Sequence, residues 1–296
     1  MYEQISANKY KSGALIVLFS AFILFLGYIF GRWTGSGPFG LILALIIATF
    51  MSFVGYYYSD KIILAISRAR PVKKEEFPHL YSVVEGLSIA AGLPVPKMYT
   101  IEDSAPNAFA TGRNPEHSAV AVTTGLLEKL NRVELEGVIG HEMSHIKNYD
   151  ILLATLAGVM VGTVALLSDW LLRSFWWRRR SRDEEGEGNR FGVILALIAL
   201  ILAILAPLIA QLIRLAISRH REFLADANGA LLTRYPPGLA SALAKLAADR
   251  EPLEVANKAT AHLYIINPLK DIGGRINNLF DTHPPIEERI RRLKEM

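Results

Sequence analysis

The chain has 296 residues, no cysteine and a formal charge of +4, with 51% of its residues hydrophobic. The missing cysteines exclude disulfides and thiol chemistry. The basic excess sits beside apolar blocks without any recognition motif, which argues against a nucleic-acid partner.

The apolar residues are gathered into four blocks, residues 14–30, 39–57, 151–172 and 191–212. A helix needs roughly 20 apolar residues to cross a bilayer core. The first two blocks carry no charge and no amphipathic period, so they are expected to span as a hairpin. A second block follows the first almost at once, which fits a retained anchor better than a cleaved signal peptide. Lys9 and Lys11 precede the hairpin, and Lys61, Arg68, Arg70, Lys73 and Lys74 follow it, whereas the loop between its arms holds only Arg32. The positive-inside rule therefore places the N-terminal tail and the chain from about residue 58 in the cytoplasm, with basic flanks against the lipid bilayer.

From 58 to 150 the pattern is that of a globular domain. A helix is expected over 77–91 and strands over 97–101, 108–111 and 119–123, the last two flanking the turn Gly112-Arg113-Asn114-Pro115. A further helix is expected over 132–147. The blocks 151–172 and 191–212 then form an inserted hairpin, 151–217. Its loop, 173–190, holds six arginines against four acids. That loop opposes the charge rule if both blocks cross, so a hairpin that only dips in or packs on protein stays open. From 218 the chain reads as helical, with breaks at Pro236-Pro237, Pro252, Gly273-Gly274 and Pro284-Pro285. The expected class is α+β and mostly helical, an integral membrane protein with up to four spans. The expected parts are a membrane hairpin, 1–57, and a catalytic domain built from 58–150 and 218–296 around the insert.

The candidate chemistry begins at His141-Glu142-Met143-Ser144-His145. Residues four apart on a helix share a face, so His141 and His145 can hold one zinc ion. Glu142 beside them can act as general base toward a metal-activated water. The pattern H-E-x-x-H arises by chance in roughly one chain in a hundred of this length, so it needs context. Val133, Val138, Ile139 and Ile146 give the helix an apolar side, and Glu134 and Glu136 suit its N-terminal dipole.

A catalytic zinc takes a third protein ligand. The extended pattern H-E-x-x-H-x-x-G-x-x-H is excluded, since position 148 is Asn and position 151 is Ile, and a glutamate on a later helix is the other common solution. Glu222 and Asp226 are four apart and share a helical face. One can ligate while the other accepts the free N–H of a ligating histidine. His79, His117 and His262 are isolated and expected to have no such role, and His220 points roughly 160° from Glu222 on a helix.

Four segments together resemble the HtpX family of membrane proteases, relatives of the CAAX prenyl proteases. They are Asn107 to Gly112, the HEMSH motif, Ser218 to Asp226, and Thr282-His283-Pro284-Pro285. The resemblance implies a zincin-like (gluzincin) catalytic domain with a small edge sheet and one Zn2+. By that likeness Glu222 is the third ligand, and Asp226 supports His141. Asn107 and Ala108 begin a strand edge that holds substrate by main-chain pairing. His283 and Arg289 match positions associated with the oxyanion in the prenyl-protease branch. The implied enzyme is an endopeptidase that takes damaged or unfolded membrane polypeptides from the cytoplasmic side of a prokaryotic inner membrane. Two other readings compete: a prenyl-peptide processor, for which four apolar blocks are few, and a non-catalytic scaffold, which would have no need of Glu142.

The sites constrain topology as well. His145 lies six residues before the third block and Glu222 soon after the fourth. For both to reach one ion, the chain between them must return to the side it left.

Overall fold

The structure is a computed structural model that describes residues 2–180, 218–257, 259–269 and 283–296. The block 191–212, most of its arginine-rich loop, Gly273-Gly274 and Thr282 lie outside the described residues. Helices α1 (Tyr2–Thr34) and α2 (Pro38–Ile66) pair as a long hairpin. Both run past the apolar blocks, because the polar turns at their domain ends continue the helix. The arms meet at small residues: a Cβ on Gly27 would fall 2.2 Å from the Ala44 Cβ, and one on Gly40 would fall 2.7 Å from the Gly31 Cα. Such contacts let helices pack closely where no hydrophobic drive separates them from lipid. Phe39, Ile42, Ile46, Phe50 and Phe53 on the outer side of α2 are more than half exposed, an apolar surface suited to lipid and not to water.

Among the described residues, α1 and α2 are the helices that singly are long and apolar enough to cross a membrane. The third block falls in α6 (Asp150–Arg180), which meets the test only when joined to α5 (Arg132–Lys147) across an 84° bend. Tyr149, at φ +60°, turns that corner. Since α5 is buried within the domain, the pair is not one straight crossing. The early turns of α6 are themselves buried, and Met160 and Val164 pack with Phe19 of α1.

Four strands form the sheet in the order β1-β2-β4-β3, with β1 (Arg70–Pro71), β2 (Lys97–Ile101), β3 (Ala108–Gly112) and β4 (Ser118–Thr123). Short β1 was not expected from sequence; the other three match expectation to within a residue or so. β2 runs parallel to β4, and β3 pairs antiparallel with it, Phe109 opposite Ala121. Side chains alternate between two cores, as the pleat requires. Ala108, Ala110, Val120 and Val122 face a core shared with α3 (Pro78–Ala91), the short α4 (Thr124–Lys129), α5 and α8 (Pro236–Ala248). Phe109, Ala119 and Ala121 face the last turns of α2 and the segment around Tyr264, whose ring meets Phe109 edge-on at 5.0 Å.

Helix α5 is fixed at its start by a capping box. The Asn131 side chain accepts from the Glu134 N–H at 3.0 Å, and Glu134 accepts from the Asn131 N–H at 2.9 Å. Glu134 also takes Lys245 and Ser241 of α8, at 2.7 and 2.6 Å. Further along, Gly140 of α5 faces Gly229 of α7 (Arg219–Thr233) so closely that a Cβ on Gly229 would lie 2.8 Å from the His141 backbone nitrogen. That approach sets the distance between the two helices. Gly229→Ala would gain about 1 kcal/mol of helix propensity, against about 1–3 kcal/mol from overpacking. The net expectation is a loss of stability in denaturant unfolding of the detergent-solubilised chain, and a more stable variant would show that the contact is loose.

Candidate metal centre

The one-turn spacing on α5 brings the two imidazoles edge to face, with His141 Nε2 and His145 Nε2 3.1 Å apart. Glu222, in the first turn of α7, enters between them. Its Oε1 lies 3.5 Å from His145 Nε2 and its Oε2 3.8 Å from His141 Nε2. Ligands at about 2.0–2.1 Å in a tetrahedral site stand roughly 3.3 Å from one another, so these separations fit. The proton inventory fits too. Each Nδ1 faces a carboxylate oxygen at 2.8 Å, Asp226 for His141 and Asp150 for His145. Each Nδ1 therefore carries the hydrogen, and both Nε2 atoms are left with bare lone pairs that face one point alongside a carboxylate. That is a donor set for a metal ion, and among the described residues His141, His145 and Glu222 could hold one.

The two carboxylates behind the imidazoles are held differently. Asp226 receives a bidentate fork from Arg289, with Nε to Oδ2 at 2.8 Å and Nη2 to Oδ1 at 2.7 Å. Arg289 is 1% exposed and spends its Nη1 on the Ile265 carbonyl at 2.8 Å. Burial opposes ionisation of Asp226, but Arg289 outweighs it and holds the carboxyl at about 2. Burial in turn lowers His141 to about 4, which keeps the ring neutral as a metal ligand requires. Glu222 also ionises despite its burial, held well below the usual carboxylate range by His283 and Arg289.

Asp150 is the member that the sequence pattern missed. It opens α6 just past the corner, and Arg221, next to Glu222 on α7, pairs with it. Five residues after His145 is not a spacing that places two side chains together on a straight helix. The 84° bend makes the contact possible.

Glu142 is buried beside the proposed ligands, and burial raises its carboxyl to about 7. The Ala110 N–H on β3 bonds to it. A cavity of about 40 Å³ opens here, lined by the two histidines, Glu142, Glu222, His283 and the segment ending at Ile265. Asn107 and Ala108 stand at the sheet edge, as expected from sequence, but that edge is partly covered. The Ile265 N–H donates to the Ala108 carbonyl at 2.9 Å, and Asn107 Nδ2 donates to the Ile266 carbonyl at 3.2 Å. His283 joins Glu222 at 3.1 Å through Nδ1, while its buried Nε2 has no partner among the described residues. Arg289 faces Asp226 rather than the cavity. His262, expected to be inert, is buried on the cavity wall, where its Nε2 donates to the Ala154 carbonyl at 2.9 Å. His79, His117 and His220 are exposed.

Residues 74–296 match the model of peptidase family M48. The chain belongs to peptidase family M48. Over its whole length it is 52% identical to a protease HtpX homolog of Dictyoglomus thermophilum, covering 94% of that protein. It is 48% identical to one of Thermoanaerobacter pseudethanolicus, covering 98%, and 42% identical to one of Lactobacillus helveticus, covering all of it. Its fold resembles that of Ste24p from S. mikatae, with a TM-score of 0.51 at 18% identity over 99% of this chain and 67% of that one. As an M48 member the chain is a membrane metallopeptidase, a hydrolase of peptide bonds, and the HtpX likeness read from four motifs extends over its full length.

In this M48 chain the Asp226–Arg289 pair is wholly buried, so its two charges must be removed together or not at all. Arg289→Leu leaves a carboxylate in the core without its cation and is expected to cost about 3–5 kcal/mol in denaturant unfolding. The double variant Asp226→Asn with Arg289→Leu should recover a good part of that loss.

Proposed function

We propose that this M48 peptidase is a zinc endopeptidase that cleaves misfolded or damaged membrane polypeptides from the cytoplasmic face of a prokaryotic inner membrane. The observation that carries the reading is the convergence of two carboxylate-backed imidazoles and Glu222 on one point, with Glu142 buried beside it. Two histidines and one glutamate would hold a zinc as the donor sets of catalytic sites do, rather than as closed structural ones. When bound, zinc supplies Lewis acidity toward a water and the scissile carbonyl.

The residues of the chain do the rest. Glu142 is the proton carrier, taking a proton from the attacking water and delivering it to the departing amine. Asp226 and Asp150 hold the imidazoles as Nδ1 donors throughout. The edge of β3 from Asn107 to Ala110 receives the peptide through main-chain pairing, which reads side chains loosely and suits unfolded substrates. The cavity has room for a water or two and not for a peptide. A bound peptide therefore takes the place of the segment now bonded to Ala108. His283 lines the cavity and its buried Nε2 has no partner among the described residues, so it is the residue best placed to meet a developing oxyanion, while Arg289 acts behind it through Asp226 and Glu222.

Metal content and cleavage test this reading together. The purified chain is expected to hold about one zinc, which His141→Ala, His145→Ala and Glu222→Ala each release. Glu142→Gln should keep the metal and lose proteolysis. Asp226→Ala should be milder, roughly 10–100-fold in affinity. A Glu222 variant that retains zinc would move the third ligand elsewhere, and an active Glu142→Gln enzyme would remove Glu142 from the mechanism.

For topology, the insert 151–217 is proposed to leave and re-enter the domain on one side of the bilayer. Support comes from the domain ends of α1 and α2, where Lys9 lies over the Tyr149 ring at 4.3 Å and Arg113 donates to the Tyr57 carbonyl. The native chain has no cysteine, so single cysteines report cleanly. Labels at Ser104 and Glu287 should react only from the cytoplasm, and one at Gly186 tells whether the insert crosses. Labelling of Ser104 and Glu287 from opposite sides would break the shared site.

A further inference from the structure

The first membrane helix reaches the metal centre itself. Asn8 on α1 is 3% exposed, and its Nδ2 donates to the Asn148 carbonyl at 2.7 Å and to Asp150 Oδ1 at 2.6 Å. The other oxygen of Asp150 takes His145 Nδ1 at 2.8 Å. One amide therefore grips both the end of α5 and the carboxylate that orients the second histidine.

Anchoring alone does not explain this residue. A buried amide is costly unless its hydrogens are satisfied, and an apolar side chain would seat α1 against the domain equally well. What an apolar side chain cannot do is stop the Asp150 carboxylate from turning. Arg221 neutralises that carboxylate, but it does so from the end of a long, flexible side chain. Asn8 adds a short donor from a different element, and with His145 it fixes both oxygens. The ring plane of His145, and with it the direction of the Nε2 lone pair, follows from the plane of that carboxylate.

We infer that Asn8 is a positioning residue for His145, acting through Asp150, so that helix α1 completes the metal centre as well as anchoring the chain. The inference rests on the reading of His145 as a ligand.

The test uses the full chain in detergent, with Co2+ as the probe, its affinity read by chelator competition and its geometry by the visible absorption band. Asn8→Leu, which keeps bulk and removes the donor, is expected to weaken Co2+ binding about tenfold or more and to shift the band. Asn8→Ala carries the same expectation should the Leu variant fail to accumulate. Combined with Asp150→Asn, the Asn8 change should cost little more, because both act through one carboxylate. Lys9→Ala, which removes the neighbouring docking contact, and Ser12→Ala, one turn along the same buried face, should bind Co2+ within twofold of the native chain. Native affinity in both Asn8 variants, full additivity with Asp150→Asn, or an equal loss in Lys9→Ala would each overturn the positioning role. His145→Ala separates the two levels. Loss of Co2+ there with native binding in the Asn8 variants defeats only this inference, whereas Co2+ retained there defeats the ligand reading beneath it.

Discussion

An imidazole presents one ring nitrogen to a metal in a fixed direction only when the other nitrogen is held as a donor. Much of this fold follows from meeting that condition twice, in a buried place. His141 is held by Asp226 and His145 by Asp150, each at 2.8 Å. Each carboxylate then needs a cation, because a buried carboxylate without one is costly. Arg289 supplies it for Asp226, which requires the C-terminal helix α9 (Ile286–Lys294) to pack behind α7. Arg221 supplies it for Asp150, which requires the start of α7 to meet the corner between α5 and α6. Elements far apart in the chain are thus drawn to one point by two ring nitrogens.

Charge balance at that point favours a divalent cation. Glu142, Glu222, Asp226 and Asp150 lie there against two guanidinium groups, Arg221 and Arg289, which leaves two negative charges if all four acids ionise. The protein resolves part of this strain at Glu142, whose carboxyl burial raises to about 7. Asp226 stays ionised because of Arg289, and Glu222 because of His283 with Arg289 beyond it. On the proposed reading, neighbouring carboxylates thus take separate tasks by their surroundings: Glu142 to exchange a proton, the others to hold still.

The sequence made local features readable and hid the distant ones. Helix α5 was legible to the residue because Val133, Val138, Ile139 and Ile146 mark an apolar side, Glu134 and Glu136 suit its first turns, and the HEMSH spacing fixes a face. The strands over 108–112 and 118–123 were legible through the turn Gly112-Arg113-Asn114-Pro115 between them. The Glu222 and Asp226 pair was legible as a shared face, and geometry shows Glu222 meeting the Nε2 atoms while Asp226 meets an Nδ1. Asp150 was hidden because its contact with His145 depends on a bend, and Asn8 because its partner lies 142 residues away. His262 was hidden for a similar reason, since a lone histidine in a loop says nothing of the α6 carbonyl it will meet. Hydropathy also marked where the apolar blocks stop, not where the helices do, so α1 and α2 were read short at their domain ends.

Those domain ends join the membrane to the chemistry. The side chain of Asn8 touches Asp150, and eleven residues later Phe19 touches Met160, so α1 and α6 leave the corner side by side in the same direction. On the second arm, Tyr56, Tyr57 and Tyr58 cluster with Lys61 and Arg113, the aromatic and basic company found at a headgroup boundary. A few residues on, Ile63 and Leu64 enter the core against Phe109 of β3. Both arms therefore pass from lipid-facing surface to the walls of the site within about two turns. On the proposed topology this puts the metal centre at headgroup level, where a segment slipping out of the bilayer would already be extended and unpaired. Neither arm can rise or sink without moving a donor to Asp150 or a residue packed beneath β3, so the depth of the hairpin and the geometry of the site are set by the same contacts.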